Sequence, residues 1–349
     1  MKTRETVLYL LRKFAKMIVT IWLVTTIIFF LIRLMPSNPV DRYIETQMVQ
    51  YGMTYEDAKA RAAHLFSMDL EKPVVTQYID YISNVARFDF GDSLLTPGLS
   101  VLEIIGARLP WTLLTVGLGM IFAFIFGVII GAALAFKRDK WYEPIISGFA
   151  SILSAVPDFL IAIFIILLFG VFKFNGKTLM QISFLRGNYS IRMKPGWNMK
   201  FIIDVAKHTF APSLTYMLSQ LGVWILLMKG STTKCLNTDY VTMAKIRGLS
   251  SGKVLRSYIG RNAMLPIVTE LAMRMGLIVS GSLIIEQLFV YQGIGLELVK
   301  ATNGRDYPVM QGIFLIMSIS MVVSNFIAEM LYAVLDPRIK LSGGKQNGR

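Results

Sequence analysis

The sequence predicts an all-α polytopic membrane protein with about six transmembrane helices, and three observations lead there. Apolar residues make up 54% of the 349, and mean hydropathy is +0.55. Charged residues make up only 17%, where a soluble domain carries about a quarter. The apolar residues fall in long uncharged blocks, near the ~20 residues that a hydrocarbon core of about 30 Å demands of a helix. Transmembrane barrels show short alternating segments of about 10 residues instead.

Six blocks follow in order. The first lies between Lys16 and Arg33, 16 uncharged residues whose flanking cations can snorkel to the two interfaces. The second, Leu109 to Phe136, has 28 uncharged residues and a small face of Gly117, Gly119, Gly127 and Gly131 suited to close helix packing. The third runs from Pro144 to Phe172 and is interrupted at Pro157-Asp158. The fourth, Thr209 to Met228, contains Pro212. The fifth, from about Met264 to Ile285, carries Glu270 and Arg274, an i, i+4 spacing that predicts an internal ion pair. The sixth runs from Val309 to Leu335, with Glu329 near its end.

Loop charge orients the stack. Segments 1–16, 137–143, 229–262 and 336–349 hold 19 basic and 5 acidic residues, while 33–108, 173–208 and 286–308 hold 16 and 14. The positive-inside bias therefore places the first set, and both termini, in the cytoplasm. The same bias accounts for the net charge of +14 without nucleic acid. Segment 173–208, with seven basic residues and one acidic, runs against it.

The division that results has four parts. Residues 1–35 form the cytoplasmic N-terminus and first transmembrane helix, retained and not cleaved. Residues 36–108 form a folded extracytoplasmic domain, with a helix from Thr54 to Met68 opened by a Thr54/Asp57 capping box and breakers at Gly91, Pro97 and Gly98. Residues 109–335 form the transmembrane core, including the cytoplasmic loop 229–265. Residues 336–349 form a cytoplasmic tail that reads as disordered.

Chemistry has few places to sit. A lone Cys235 allows no internal disulfide, and His64 and His208 lie in unrelated segments, so neither a metal site nor a catalytic constellation is expected. Gly170 with Gly176-Lys177-Thr178 imitates a phosphate loop, but five residues separate the glycines where the motif needs four. Asp158 after Pro157 sits where a missing backbone bond loosens the helix. It is either a pathway carboxylate, able to meet a substrate ammonium, or a cap on a structural kink.

The loop 239–266 is too long for a turn between helices. Tyr240, Met243, Ala244 and Arg247 fall at helical spacing, and Gly248 stops that helix from the C′ position. A second helical run starts near Lys253, and Leu265-Pro266 leads into the fifth span. Such a short helix either docks in a partner's groove or rests on lipid.

With Ala244, Gly248, Leu249, Ser250, Leu265 and Pro266 in place, this loop resembles the coupling signature of the permease subunits of binding-protein-dependent ABC importers, in the dipeptide/oligopeptide/nickel branch. It departs at Thr242, Met243 and Ala263. Glu286-Gln287-Leu288-Phe289 followed by Gly293-Ile294-Gly295 is similar to another family run, with Gln292 in place of proline. Arg305-Asp306-Tyr307-Pro308, Asp336-Pro337-Arg338 and Asp89-Phe90-Gly91-Asp92-Ser93-Leu94 resemble three more, so the likeness covers nearly the whole chain in order.

The resemblance implies a type I importer-like fold and ATP-driven alternating access for peptides, or for a nickel chelate or oligosaccharide. It implies a second homologous permease subunit, two cytoplasmic ATPase subunits that carry ATP and Mg, and an extracytoplasmic substrate-binding protein. This chain would hold no nucleotide or other cofactor of its own. Coupling to the ATPases would fall to Tyr240, Ala244, Gly248, Leu249, Ala263, Leu265 and Pro266, and the substrate pathway would pass Pro157 and Asp158. A secondary transporter explains the spans but not the loop; an intramembrane enzyme lacks a constellation.

Overall fold

The computed structural model describes residues 2–34, 39–65, 73–96, 98–279, 281 and 283–335. The Asp336-Pro337-Arg338 motif, the tail, Met68 and Pro97 lie outside them. The described residues are predominantly helical, with one two-stranded hairpin and an isolated β-bridge between Asp92 and Ser100. Among the described residues four helices are long and apolar enough to cross a membrane. They lie in α1 (Lys2–Leu34, apolar over Leu11–Leu31), α5 (Val101–Phe136), α8 (Met199–Leu236) and α14 (Tyr307–Leu335).

A fifth is a broken pair, α6 (Tyr142–Ala155) and α7 (Asp158–Ile166, continued by a π-helical turn, Leu167–Val171), bent by 101° at Val156-Pro157. The proline cannot donate to the preceding turn, and the residue before it is driven to extended backbone; Val156 has φ −74 and ψ 126. The break expected at Pro157-Asp158 is therefore a corner, much sharper than a kink. The predicted fifth span is α11 (Arg261–Ile278), 18 residues that end earlier than Ile285, with Pro266 inside the helix and not ahead of it. It carries Glu270 and Arg274 and does not count among the candidates by length and composition.

Two compact units make up the chain. The first comprises residues 1–111 and 292–323. Its core is formed by Val101, Ile104 and Ile105 at the start of α5, Ile294, Leu298 and Ala301 of α13 (Ile294–Gly304), and Val309 and Ile313 of α14. Gly312 makes that contact possible, since a Cβ there would lie 2.4 Å from Val101 Cγ1. Segment 39–86 holds α2 (Pro39–Tyr51), α3 (Tyr55–Leu65) and α4 (Val74–Ala86). Ile44, Ala58 and Ala62 form a small core between the first two. Thr54 opens α3 as expected: its hydroxyl accepts from Asp57 N (3.2 Å) and donates to Asp57 Oδ2 (2.6 Å). Phe29 of α1 packs edge-on against Tyr78 of α4, and Thr26 hydrogen-bonds the Tyr78 hydroxyl at 2.7 Å.

The second unit comprises residues 112–291 and the chain from Ser324 onward. Trp224 on α8 is fully buried at its centre, with Phe124 of α5 edge-on at 5.2 Å. The small face of α5 is used much as predicted. Built Cβ atoms at Gly119, Gly127 and Gly131 would lie 2.8, 2.3 and 2.4 Å from Ser213 O, Trp224 Cβ and Ile225 O of α8. Gly117 faces open space instead. A second close approach, of Gly222 on α8 to Ala150 O of α6, where a built Cβ would lie 2.3 Å from that oxygen, has no counterpart in the spacing of the glycines. Lys229 pairs with Glu143 and donates to Ser147 Oγ at 2.8 Å, tying α8 to α6 at one end.

Candidate functional site

The 229–265 loop is built as a compact folded elbow. After α8 ends at Leu236, α9 (Asp239–Ile246) begins behind Thr238, whose carbonyl accepts from Val241 N and Thr242 N. Asp239 in the first turn suits the positive end of the helix dipole. Gly248 ends α9 with φ +72, and Leu249 N donates to Ala244 O at 3.3 Å. This is a Schellman closure, in which the αL residue favours glycine. A Cβ at Gly248 would meet nothing within 4 Å. The demand for glycine is thus conformational, and a larger side chain would not be obstructed by a neighbour there.

Beyond it, the second run is a three-residue turn, α10 (Ser251–Lys253), and a π-helical stretch, Val254–Gly260, that feeds α11. Single π turns often mark functional sites.

The two faces of α9 differ. Val241 and Ala244 are buried, packed in one cluster with Val254, Ile259, Ala263, Ile267 and Met228. Tyr240, Met243 and Ile246 are exposed, at 40, 62 and 74%. The residues expected to couple therefore divide by role. Ala244 and Ala263 are core, with Leu249 packed against them. Leu265 is half-buried and Pro266 exposed on α11. Tyr240 stands on the outer face, its hydroxyl accepting from Asn262 Nδ2 at 3.1 Å.

Met243 and Ile246 are the outward apolar knobs, and Ile246 carries no signature. Only its three-residue offset from Met243 marks it. Beside the elbow lies an open cleft of about 270 Å³, walled by Phe136, Arg138, Leu236, Asn237, Leu249 and Val254.

On α7, α8 and α11 of the second unit the polar groups gather. Arg274 Nε donates to Glu270 Oε1 at 2.7 Å, the predicted i, i+4 pair. Its Nη1 also donates to Gln220 Oε1 of α8 at 2.8 Å, and the guanidinium lies 5.6 Å from the Trp224 ring centroid. Tyr216 lies one turn before Gln220, within electrostatic range of both Arg274 and Asp158. Asp158 is half-buried at the start of α7, its carboxylate bonded to its own backbone amide; Pro157 precedes it as an exposed N-cap. Ser219-Gln220 within an apolar block is the signal that would have placed α8 beside the charged pair.

The remaining motifs hold structure together. Asp306 and Ser93, 213 residues apart, meet in the first unit, both buried. Asp306 Oδ2 accepts from Ser93 Oγ (2.5 Å) and Leu95 N (3.1 Å), while its other oxygen accepts from Val309 N (3.4 Å) at the start of α14. Two runs of family resemblance are thus one hydrogen-bonded corner. Glu286, buried on α12 (Leu283–Leu288), accepts from Thr112 Oγ1 at 2.7 Å. Gln292, at the departure from proline, accepts from Arg108, whose Nε also binds Glu297 at 2.9 Å. Lys177-Thr178 lies in strand β2 (Lys177–Thr178), paired antiparallel with β1 (Lys173–Phe174) across a turn at Gly176. That turn leads directly into a strand and not into a helix N-terminus, so the phosphate-loop imitation has no cradle.

Comparison with known proteins bears on this arrangement. Residues 123–341 match the family described as binding-protein-dependent transport system inner membrane component. A putative peptide permease protein of Brucella suis biovar 1 is 30% identical over 318 residues, 91% of this chain and 94% of that one. The di/tripeptide transport system permease protein of Pseudomonas aeruginosa is 28% identical over 341 residues, covering 95% and 98%. The glutathione transport system permease protein of Salmonella typhimurium is 29% identical over 332 residues, again 95% and 98%.

Proposed function

Because the chain belongs to the binding-protein-dependent transport system inner membrane component family, we propose that it is one permease subunit of an ATP-driven peptide importer. It forms part of the translocation pathway and works by alternating access. A second permease subunit completes the pathway, two cytoplasmic ATPase subunits drive it, and an extracytoplasmic binding protein delivers the peptide. The relatives' names support peptide as cargo.

The observation that carries the reading is the two-faced α9. Its inner face is welded to α8 and α11 through Val241, Ala244, Ala263 and Ile267. A push on the exposed Tyr240, Met243 and Ile246 therefore reaches two spanning helices at once. A helix resting on lipid would need no such rigid backing.

Six spans follow if the bent α6–α7 pair and α11 each cross once, which puts both termini in the cytoplasm. At ~1.5 Å per residue the 18 residues of α11 span about 27 Å. Its two charges neutralise each other, and intramembrane charges survive by such pairing. The four parts then keep the bounds 1–35, 36–108, 109–335 and 336–349. Asp158, on the α7 corner, offers a carboxylate to the peptide ammonium.

The test is assembly. Met243→Glu with Ile246→Glu should insert and fold, yet fail to retain the ATPase subunits on affinity purification in nanodiscs. Retention at the wild-type level would refute the docking role of this face.

A further inference from the structure

Three helices of the second unit bring polar groups together in apolar surroundings. They are α7 with Asp158, α8 with Tyr216, Gln220 and Trp224, and α11 with Glu270 and Arg274. The α8 residues stand at i, i+4 and i+8, so they form one stripe of that helix. Arg274 donates to Glu270 (2.7 Å) and Gln220 (2.8 Å) and lies over the Trp224 ring. Such pairing lets an arginine persist within an apolar helix, and a tether between α8 and α11 would be reason enough for both bonds.

Two features exceed a tether. A guanidinium carries five N–H donors in a planar fork. Here Nε and Nη1 are used, and Nη2 donates to no group among the described residues. The neighbours add to this excess of donors. Trp224 is fully buried, yet its indole N–H has no acceptor among those residues, and the Tyr216 hydroxyl bonds none of them either. Buried donors cost free energy until an acceptor meets them.

The second feature is access. The side chains of Glu270 and Arg274 stay 30 and 26% exposed, so a ligand can reach the pair. A tether gains nothing from exposure, and apolar side chains would hold the two helices at least as well.

The complement of a guanidinium with free N–H groups is a planar anion, and a carboxylate fits its fork through two parallel bonds. Charge narrows the choice further. Tyr216 lies within electrostatic range of both Arg274 and Asp158, so the two charges share one neighbourhood. With Glu270 that neighbourhood holds two anions and one cation. A plain anion would be repelled there, whereas a molecule carrying both a carboxylate and an ammonium finds a partner for each.

We infer that Arg274 receives the C-terminal carboxylate of the transported peptide, so that this chain itself selects cargo with a free C-terminus. This rests on the importer reading and on Asp158 as partner of the peptide ammonium. Glu270 is the positioning residue: it holds the fork in place and competes with the arriving carboxylate. An acidic peptide side chain would offer the same chemistry, and the choice of probes separates the two sources.

The experiment measures equilibrium binding of tritiated peptides to the assembled importer in nanodiscs, without binding protein, whose own preference is thereby removed. The probes are trialanine, trialanine amide and Ala-Glu-Ala amide, titrated into the millimolar range. Trialanine should bind about tenfold more tightly than its amide, as expected for a charge-assisted pair. Arg274→Gln should bring the two within about twofold by weakening trialanine alone. Loss of a mere tether would weaken both alike and leave their ratio unchanged. Glu270→Gln removes the competing anion and should tighten trialanine severalfold with the amide unmoved, a gain that misfolding cannot imitate.

No measurable trialanine binding, or an acid-to-amide ratio that Arg274→Gln leaves intact, overturns the inference. Ala-Glu-Ala amide binding as tightly as trialanine overturns the C-terminal assignment and gives the contact to any carboxylate. The importer reading fails separately, if the wild-type complex with binding protein and ATP takes up no peptide into proteoliposomes.

Discussion

The Ser93–Asp306 corner and the α9 elbow both gather residues that carry family resemblance, yet they use them oppositely. At the corner the two polar side chains that meet are buried and bonded: Asp306 alone satisfies Ser93, Leu95 N and Val309 N. At the elbow the resembling residues Ala244 and Gly248 shape the element, while the exposed face is made by Met243 and Ile246 between and beside them. One site spends its motif on holding chain segments together, the other on presenting a surface. A motif therefore marks where an element is constrained, and the working surface can lie on its neighbours.

The contrast can be broken by substitution, starting where the effect should be largest. Asp306→Ala strands a buried hydroxyl and two amides. With charge-assisted bonds worth about 1.5–3 kcal/mol each, a loss of roughly 3 kcal/mol or more is expected. A fall of several degrees in the thermal unfolding of the detergent-solubilised protein would register it. Gly127→Ala drives a methyl against Trp224, and overpacking of this kind costs about 1–3 kcal/mol. The same melt should place it below Asp306→Ala.

Gly248→Ala has no clash to relieve and loses only the αL preference, about 1 kcal/mol. Gly248→Asn should lose less, because asparagine tolerates αL. Smallest of all is the stability change for Met243→Glu with Ile246→Glu, which should sit within ~0.5 kcal/mol of wild type, as surface substitutions do. That pair would nonetheless abolish ATPase retention. Stability and function should thus rank these sites in opposite orders.

Much of the fold could be read from the chain itself. Uncharged blocks marked α1, α5, α8 and α14, because a helix in hydrocarbon must hide its whole backbone and so needs a long apolar run. The Glu270–Arg274 pair and the Thr54 cap were legible because both depend on spacing within one helix. The 101° corner at Pro157 was legible as a break but not as an angle, since proline removes a bond without dictating where the chain goes next. A second capping box, Ser100 with Glu103 at the start of α5, was available by the same spacing rule and went unread behind the breakers at 97–98.

At the site, the helical spacing of 240–247 was visible, but which face turned inward was not. That choice is made by Val254, Ile259 and Ile267, which lie beyond the helix. The role of Gly248 was legible, though its reason is backbone conformation and not crowding. Gln220 and Tyr216 escaped because their meaning depends on a helix more than fifty residues away.

The most direct test of the coupling account is the ratio of ATP hydrolysed to peptide imported by the reconstituted importer in proteoliposomes. Gly248→Val, whose β-branched side chain resists the left-handed turn that closes α9, should still insert and assemble and should hydrolyse ATP while peptide uptake falls at least tenfold. Normal uptake at the wild-type ratio would contradict the claim that this elbow carries the force.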